Sequence, residues 1–271
     1  MSDPAAALLD LFDLTGKRIV VTGAAVGLGF KMAEILSQCG AKVTLADIDE
    51  RRLTASAEKL GGDARPFVCD VRDEAQVQAL FDDVVAAQGG VDVAFANAGL
   101  AAVPGFSAEN GQNLANIERK DWDHVLSVNL TGAMQTMRGA AAVMRKQDNG
   151  GRIVVTASTA AFRPEPLVCY GYVAAKGALV QMVRHAALDN APYGVLVNAI
   201  APGPFYGTMI GGGVTENPSE EMREAWQGLI PLGRMAHPDE LRGIVVLLAS
   251  DASSFMTGAT YLVDGGSLVQ V

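Results

Sequence analysis

A tyrosine and a lysine four residues apart, Tyr172 and Lys176, stand at the end of the stretch STAAFRPEPLVCYGYVAAK, which begins at Ser158. On a helix, four residues separate two side chains by about 40° on one face. That spacing sets an ammonium beside a phenol. A positive neighbour favours phenolate and lowers the tyrosine pKa toward the working pH, which is the tuning a general acid–base needs. A hydroxyl from Ser158 could then hold a substrate oxygen. Tyr170 competes for the role, but position 174 is Ala174, so only Tyr172 has its lysine. Taken alone, such a pair equally fits an ordinary helix with a packed tyrosine and a solvated lysine.

The elements that must position these groups follow from hydrophobic patterning. Short, nearly continuous apolar runs at Arg18–Thr22, Lys42–Ala46, Arg65–Cys69, Val91–Ala96, Arg152–Ala157, Leu196–Ile200 and Thr260–Val263 read as strands covered on both faces. Helical patterns lie between them near Leu28–Gln38, Glu50–Leu60, Glu74–Gln88, Trp122–Lys146, Tyr172–Asn190 and Asp239–Ala249. The alternation predicts an α/β fold, a doubly wound parallel sheet of about seven strands in one Rossmann domain spanning residues 1–271. Two long connections, 100–120 and 203–235, leave the carboxyl ends of strands and are expected to shape the substrate site.

The first strand runs into Thr22-Gly23-Ala24-Ala25-Val26-Gly27-Leu28-Gly29 and then a helix. Glycines at such a turn let backbone approach a pyrophosphate, whose charge suits the helix N-terminus. Asp47 follows 18 residues after Gly29 at the end of the second strand, near the spacing of an acid that binds a ribose 2′-hydroxyl. A carboxylate there repels a 2′-phosphate, so NAD is expected over NADP. Arg51 and Arg52 read as the polar face of the next helix.

Together these residues resemble the short-chain dehydrogenase/reductase family, from about Leu14 to Gly266. Further markers stand in order. The resemblance implies that Gly23, Val26, Gly27, Leu28, Gly29, Asp47 and Ile48 bind cofactor, and that Asp70 and Val71 hold the adenine. Asn97, Ala98 and Gly99 match the family's Asn-Ala-Gly, although Ala96 replaces a more usual asparagine. Pro202 and Gly203 match the nicotinamide wall, with Phe205 and Thr208 beside the carboxamide. Thr208 falls six residues after Pro202, where five is more usual. The implied catalytic set is Asn129, Ser158, Tyr172 and Lys176, with Lys176 also on the nicotinamide ribose and Asn129 holding a water. The interval from Ser158 to Tyr172 is one residue longer than usual, which keeps Thr159 in reserve.

The implied activity is hydride transfer between NAD and a secondary alcohol or ketone, cyclic or polyol-like. Expected lining residues are Phe162, Leu167, Val168, Phe205, Met209, Trp226 and residues 100–103, with Arg163 and Glu165 nearby. Two alternatives remain: a 3-oxoacyl-thioester reductase, which Asp47 disfavours, and a catalytically silent protein that senses the NAD/NADH ratio. The resemblance also implies a homotetramer in which the helices Trp122–Lys146 and Tyr172–Asn190 pair through small residues.

Bulk properties narrow the partners. Hydrophobic residues make up 49% and charged residues 19%, enough for a large core. A net charge of -9 argues against nucleic acid or an anionic membrane. Cys39, Cys69 and Cys169 form no CxxC, and His124, His185 and His237 have no metal-ligand spacing, so neither a disulfide framework nor a metal is expected. No secretory signal or membrane-spanning run is read, and a reducing cytoplasm fits.

Overall fold

Seven parallel strands form one sheet in the order β3-β2-β1-β4-β5-β6-β7 in the computed structural model. It describes residues 4–101, 114–165, 168–207, 220, 224 and 228–269. The elements in order are α1 (Pro4–Asp10), β1 (Arg18–Thr22), α2 (Gly27–Gln38), β2 (Lys42–Asp47), α3 (Glu50–Leu60), β3 (Arg65–Val68), α4 (Glu74–Gln88) and β4 (Val93–Ala96). Then come α5 (Arg119–Leu126), a π-helical segment Ser127–Gly132, α6 (Ala133–Met144), β5 (Gly151–Thr156), a 3-10 turn Thr159–Ala161 and α7 (Tyr170–Asn190). The chain continues through β6 (Val195–Pro202), a 3-10 turn Pro238–Leu241, α8 (Arg242–Ala249) and β7 (Thr260–Val263).

The strands read as unbroken apolar runs because each side of the sheet carries its own core. Val20 of β1 and Ile153 and Val155 of β5 pack with residues of α4, α6 and α7. Their alternating neighbours Ile19, Val21 and Val154 pack on the other side with α2 and α8. Side chains of a strand point alternately to opposite faces, so a sheet sandwiched by helices needs apolar residues at both parities. Pro66 in β3 is tolerated because β3 is an edge strand.

Several expectations change, and the helix anticipated at Asp239–Ala249 opens as the 3-10 turn Pro238–Leu241 before α8. The helix anticipated over Trp122–Lys146 is divided into α5, the π segment and α6. At the division the Asn129 amide donates to Val125 O at 3.1 Å, and Gly132 lies so close to Val71 that an added Cβ would sit 2.5 Å from Val71 Cγ2. β4 begins at Val93 rather than Val91, since Val91 N donates to the Gln147 side chain at 2.9 Å instead of joining the ladder. Finally, α1 has no counterpart in the sequence reading.

β1, β2, β4, β5 and β6 lie side by side, and the segments leaving their carboxyl ends gather above the middle of the sheet. Both the glycine turn after β1 and the Ser158 segment after β5 start there.

Candidate active site

Between β1 and α2 the backbone is pressed against the chain following β4. Gly23 has φ 66°, and a Cβ on it would stand 2.6 Å from Ala98 Cα. A Cβ on Gly29 would lie 2.1 Å from Gly23 O and 2.4 Å from Asn97 Nδ2. No larger residue fits either position without moving backbone. Thr22 locks the two segments together: its hydroxyl accepts from Asn97 N (3.1 Å) and Ala98 N (3.3 Å), while Asn97 Nδ2 donates to Thr22 O and Gly23 O.

The start of α2 differs from its neighbours. Asp49 and Asp73 close the N-termini of α3 and α4 by accepting from backbone N–H groups. At α2 the N-cap is Val26, with no side-chain bond and no acid in the first turn. Uncapped N–H groups and a positive helix end suit an anion. Beside them, Asp47 is steered by Ala25 N to one carboxylate oxygen (3.0 Å) and Asp49 N to the other (3.1 Å). A cradle that admits no Cβ, an open helix end and an oriented carboxylate fit a dinucleotide.

Across the sheet, Ser158 caps the 3-10 turn, its Oγ accepting from Ala160 N at 3.1 Å. α7 begins at Tyr170, so Tyr172 sits in its first turn and Lys176 one turn on. Lys176 is 4% exposed, with Nζ donating to Thr156 O at 2.6 Å and lying 5.5 Å from the centre of the Tyr172 ring. Burial pulls the Lys176 pKa down to about 8. The Tyr172 pKa moves up, opposite to the direction expected from the Tyr–Lys spacing. Burial is its main cause; the hydrogen bond with Ser158 opposes it, and the nearby Glu165 charge adds to it. Desolvation disfavours phenolate and ammonium alike, a cost that the helical spacing does not reveal.

Asn129 is fully buried in the π segment. Its Oδ1 accepts from Leu100 N (3.2 Å) and its Nδ2 donates to Leu100 O (2.8 Å), besides Val125 O. The side chain thus clamps the backbone of residue 100. Gly99 lies between Asn129 and Lys176: a Cβ there would be 2.6 Å from Asn129 Oδ1 and 3.7 Å from Lys176 Nζ.

One cavity of about 330 Å³ joins both regions. Gly23, Val26, Gly27, Leu28, Gly29, Asp47, Asn97, Gly99, Asn129, Ser158, Tyr172, Lys176, Pro202 and Gly203 line it. Gly203 is held by its N–H to Val263 O (3.0 Å), and a Cβ on it would be 2.9 Å from Asp264 Cα. Leu100, Ala101 and Val168 also line the cavity, as do both Ser158 and Thr159. Ile48, Asp70, Val71, Ala98, Phe162 and Phe205 do not. Ile48 and Phe162 are exposed, and Val71 packs on Gly132. The Asp70 carboxylate is bound to Arg72, 2.6 Å away, which holds its pKa below the usual carboxylate range. Phe205 is 1% exposed and packed in the core with α2 and α8, so its side chain cannot contact substrate as expected. Leu167, Thr208, Met209, Trp226 and residues 102 and 103 lie outside the described residues.

Sequence reasoning missed two contributors and left a third outside the lining. Thr22 and the Thr156 carbonyl position Asn97 and Lys176, and backbone oxygens carry no sequence signal. Glu165 was noted only as nearby; it lines the cavity with its side chain 7% exposed.

This architecture, with a phosphate-ready helix end facing a buried hydroxyl–phenol–ammonium group, is that of a nicotinamide-linked oxidoreductase. Comparison with known proteins carries it further. A family model described as Enoyl-(Acyl carrier protein) reductase matches residues 23–267. Galactitol 2-dehydrogenase of Agrobacterium fabrum is 36% identical, over 94% of this chain and 98% of its own. A 2,5-dichloro-2,5-cyclohexadiene-1,4-diol dehydrogenase of Sphingobium indicum is also 36% identical, with the same coverage of 94% and 98%. The crystal structure of a gluconate 5-dehydrogenase from Burkholderia cenocepacia, in complex with NADP and tartrate, superposes with a TM-score of 0.86. It is 31% identical and covers 97% of this chain and 100% of that one. The chain belongs to the short-chain dehydrogenase/reductase family, whose members use a nicotinamide cofactor. Among the described residues no helix is long and apolar enough to cross a membrane.

Proposed function

We propose that this protein is an NAD-dependent dehydrogenase of secondary alcohols, acting on an uncharged polyol or cyclic alcohol and on the matching ketone. The observation that carries this reading is the single cavity shared by Asp47, the glycine cradle and the Ser158, Tyr172, Lys176 group. The names of the galactitol and cyclohexadiene-diol dehydrogenases support the substrate class.

When bound, the nicotinamide ring supplies the carbon that accepts hydride from the carbinol or returns it to the carbonyl. Tyr172 takes the alcohol O–H proton during oxidation and gives it back during reduction. Ser158, rather than Thr159, donates to the substrate oxygen, a role supported by its place in the cavity with Tyr172, whose pKa it lowers against the effect of burial. Lys176 would hold the ribose hydroxyls, and its charge favours phenolate when the two groups face one substrate. Gly23, Gly27 and Gly29 would lie under the pyrophosphate. Ile48, Asp70, Val71, Ala98 and the backbone of Phe205 would serve the cofactor from positions that do not line the cavity, and Thr208, outside the described residues, keeps the carboxamide role that the resemblance implies. Asn129 acts by fixing Leu100 in the wall, and its water-holding role is carried by the resemblance alone.

Asp47 underlies the choice of NAD: an oriented carboxylate repels a 2′-phosphate. The NADP found with the Burkholderia structure belongs to that protein and makes this the point to measure first. We further infer one domain carrying both sites, a cytoplasmic setting, and a homotetramer. Ala174, Gly177 and Ala178 face outward on α7 and suit close helix approach, whereas Ala175 is turned into the core.

A screen of polyols, cyclic alcohols and ketones with each cofactor, read by NADH or NADPH absorbance, tests the reading. Turnover with a lower KM for NAD is expected. No turnover with any alcohol or ketone overturns it, and a lower KM for NADP overturns the cofactor assignment. A single-chain mass by light scattering would remove the tetramer.

A further inference from the structure

The substrate side of the cavity holds a carboxyl group that hydride transfer leaves without a task. Glu165 reaches the cavity from the segment between the 3-10 turn and α7, with its side chain almost wholly buried. Its ion-pair partner Arg163 is 3.6 Å away, longer than the roughly 2.7–2.9 Å of a good charged hydrogen bond. The Arg163 guanidinium is also committed elsewhere, donating to Ser267 O at 2.6 Å. An ionised carboxylate has about four acceptor sites, and burying it is costly unless donors reach it. Leu100, Ala101, Ala160 and Val168 line the same cavity and give it an apolar stretch. Tyr172 lines the same cavity, and the Glu165 charge adds to the rise of its pKa.

A substrate with a single hydroxyl would spend that hydroxyl on Ser158 and Tyr172 and leave Glu165 facing hydrocarbon. Among the described residues only Arg163 is paired with Glu165, and a second hydroxyl supplies a further donor. Resting on the dehydrogenase reading above, we propose that Glu165 is a specificity-determining residue that accepts a hydrogen bond from a second substrate hydroxyl. The site thereby selects uncharged polyols and cyclic diols and turns away hydroxy acids, whose own carboxylate would meet Glu165 at close range. Glu165 takes no part in proton or hydride transfer.

Matched substrates test this. Cyclohexane-1,2-diol and cyclohexanol share a ring and differ by one hydroxyl, while galactitol and gluconate differ by a charge. Specificity constants are measured for the wild-type protein, Glu165→Gln and Glu165→Ala at saturating cofactor. The wild type should favour the diol over cyclohexanol and galactitol over gluconate. In Glu165→Ala the diol-to-cyclohexanol ratio should fall about ten- to hundredfold, the worth of one hydrogen bond to a charged group, and the gluconate ratio should rise. Equal ratios in wild type and variants overturn the assignment, as does a wild type indifferent to the second hydroxyl, a result independent of whether either variant folds. Turnover of cyclohexanol without diol preference strikes Glu165 alone. Absence of turnover with all substrates strikes the dehydrogenase reading beneath it.

Discussion

The two walls of the cavity are made of different material. The wall expected to carry cofactor is backbone: Gly23, Gly29 and Gly203 each stand where an added Cβ would lie under 3.0 Å from another main-chain atom. The opposite wall is side chain: Ser158, Glu165, Val168, Tyr172 and Lys176 project from the 3-10 turn, the loop after it and the first turns of α7. A backbone wall is intolerant of substitution but indifferent to chemistry. A side-chain wall can be altered piece by piece, and each alteration changes chemistry before it changes folding.

Exchanging single groups on each wall probes this contrast. The largest effect is expected at Tyr172. Tyr172→Phe should lower kcat by about 10²–10⁴-fold while NADH binding, followed by fluorescence titration, persists. Retention of most activity would remove Tyr172 as the acid–base. On the backbone wall, Gly29→Ala should destabilise the fold by roughly 1–3 kcal/mol in urea unfolding and abolish NADH binding together with activity. A stable variant that still binds would show that the cradle yields more than its contacts imply.

Lys176 belongs to the side-chain wall but is buried like a core residue. Its folded pKa of about 8 lies below the ordinary 10.5, so between these values the unfolded chain binds more protons than the native one. Stability attributable to Lys176 should therefore be flat below about pH 8 and rise from there to 10.5, with a slope approaching 1.4 kcal/mol per pH unit. Lys176→Met should remove that rise in parallel urea titrations; identical pH curves would show that the ammonium is solvated. The smallest effect is a control. Gly243 in α8 has open space where a Cβ would go. Gly243→Ala should leave NADH binding intact and stabilise by up to about 1 kcal/mol, opposite in sign to Gly29→Ala.

Legibility followed the same division. α3, α4 and β7 carry their expected bounds, because caps and periodicity are local: Asp49 and Asp73 mark the starts of the two helices, and Gly61 and Gly89 follow their ends. The glycine turn was legible for a related reason, since a residue type with no side chain advertises a close approach. The π segment was not, because nothing in Ser-Val-Asn-Leu announces that Asn129 will bind a backbone 29 residues earlier. Phe205 was expected at the substrate and lies in the core, since an apolar residue suits either place and only its neighbours decide.

The sequence by itself therefore determined the parallel sheet, the glycine cradle, Asp47 at the end of β2, and the Tyr–Lys pair on one helix face. These depend on strand parity, helical period and residue type, which are properties of short stretches. Only the tertiary structure decided the charges. Lys176 bonds to a carbonyl of β5, Tyr172 is desolvated by the elements closing over it, and the Glu165 side chain is buried on the same wall. A pKa is set by everything packed around a group, and that surrounding comes from parts of the chain far removed in sequence.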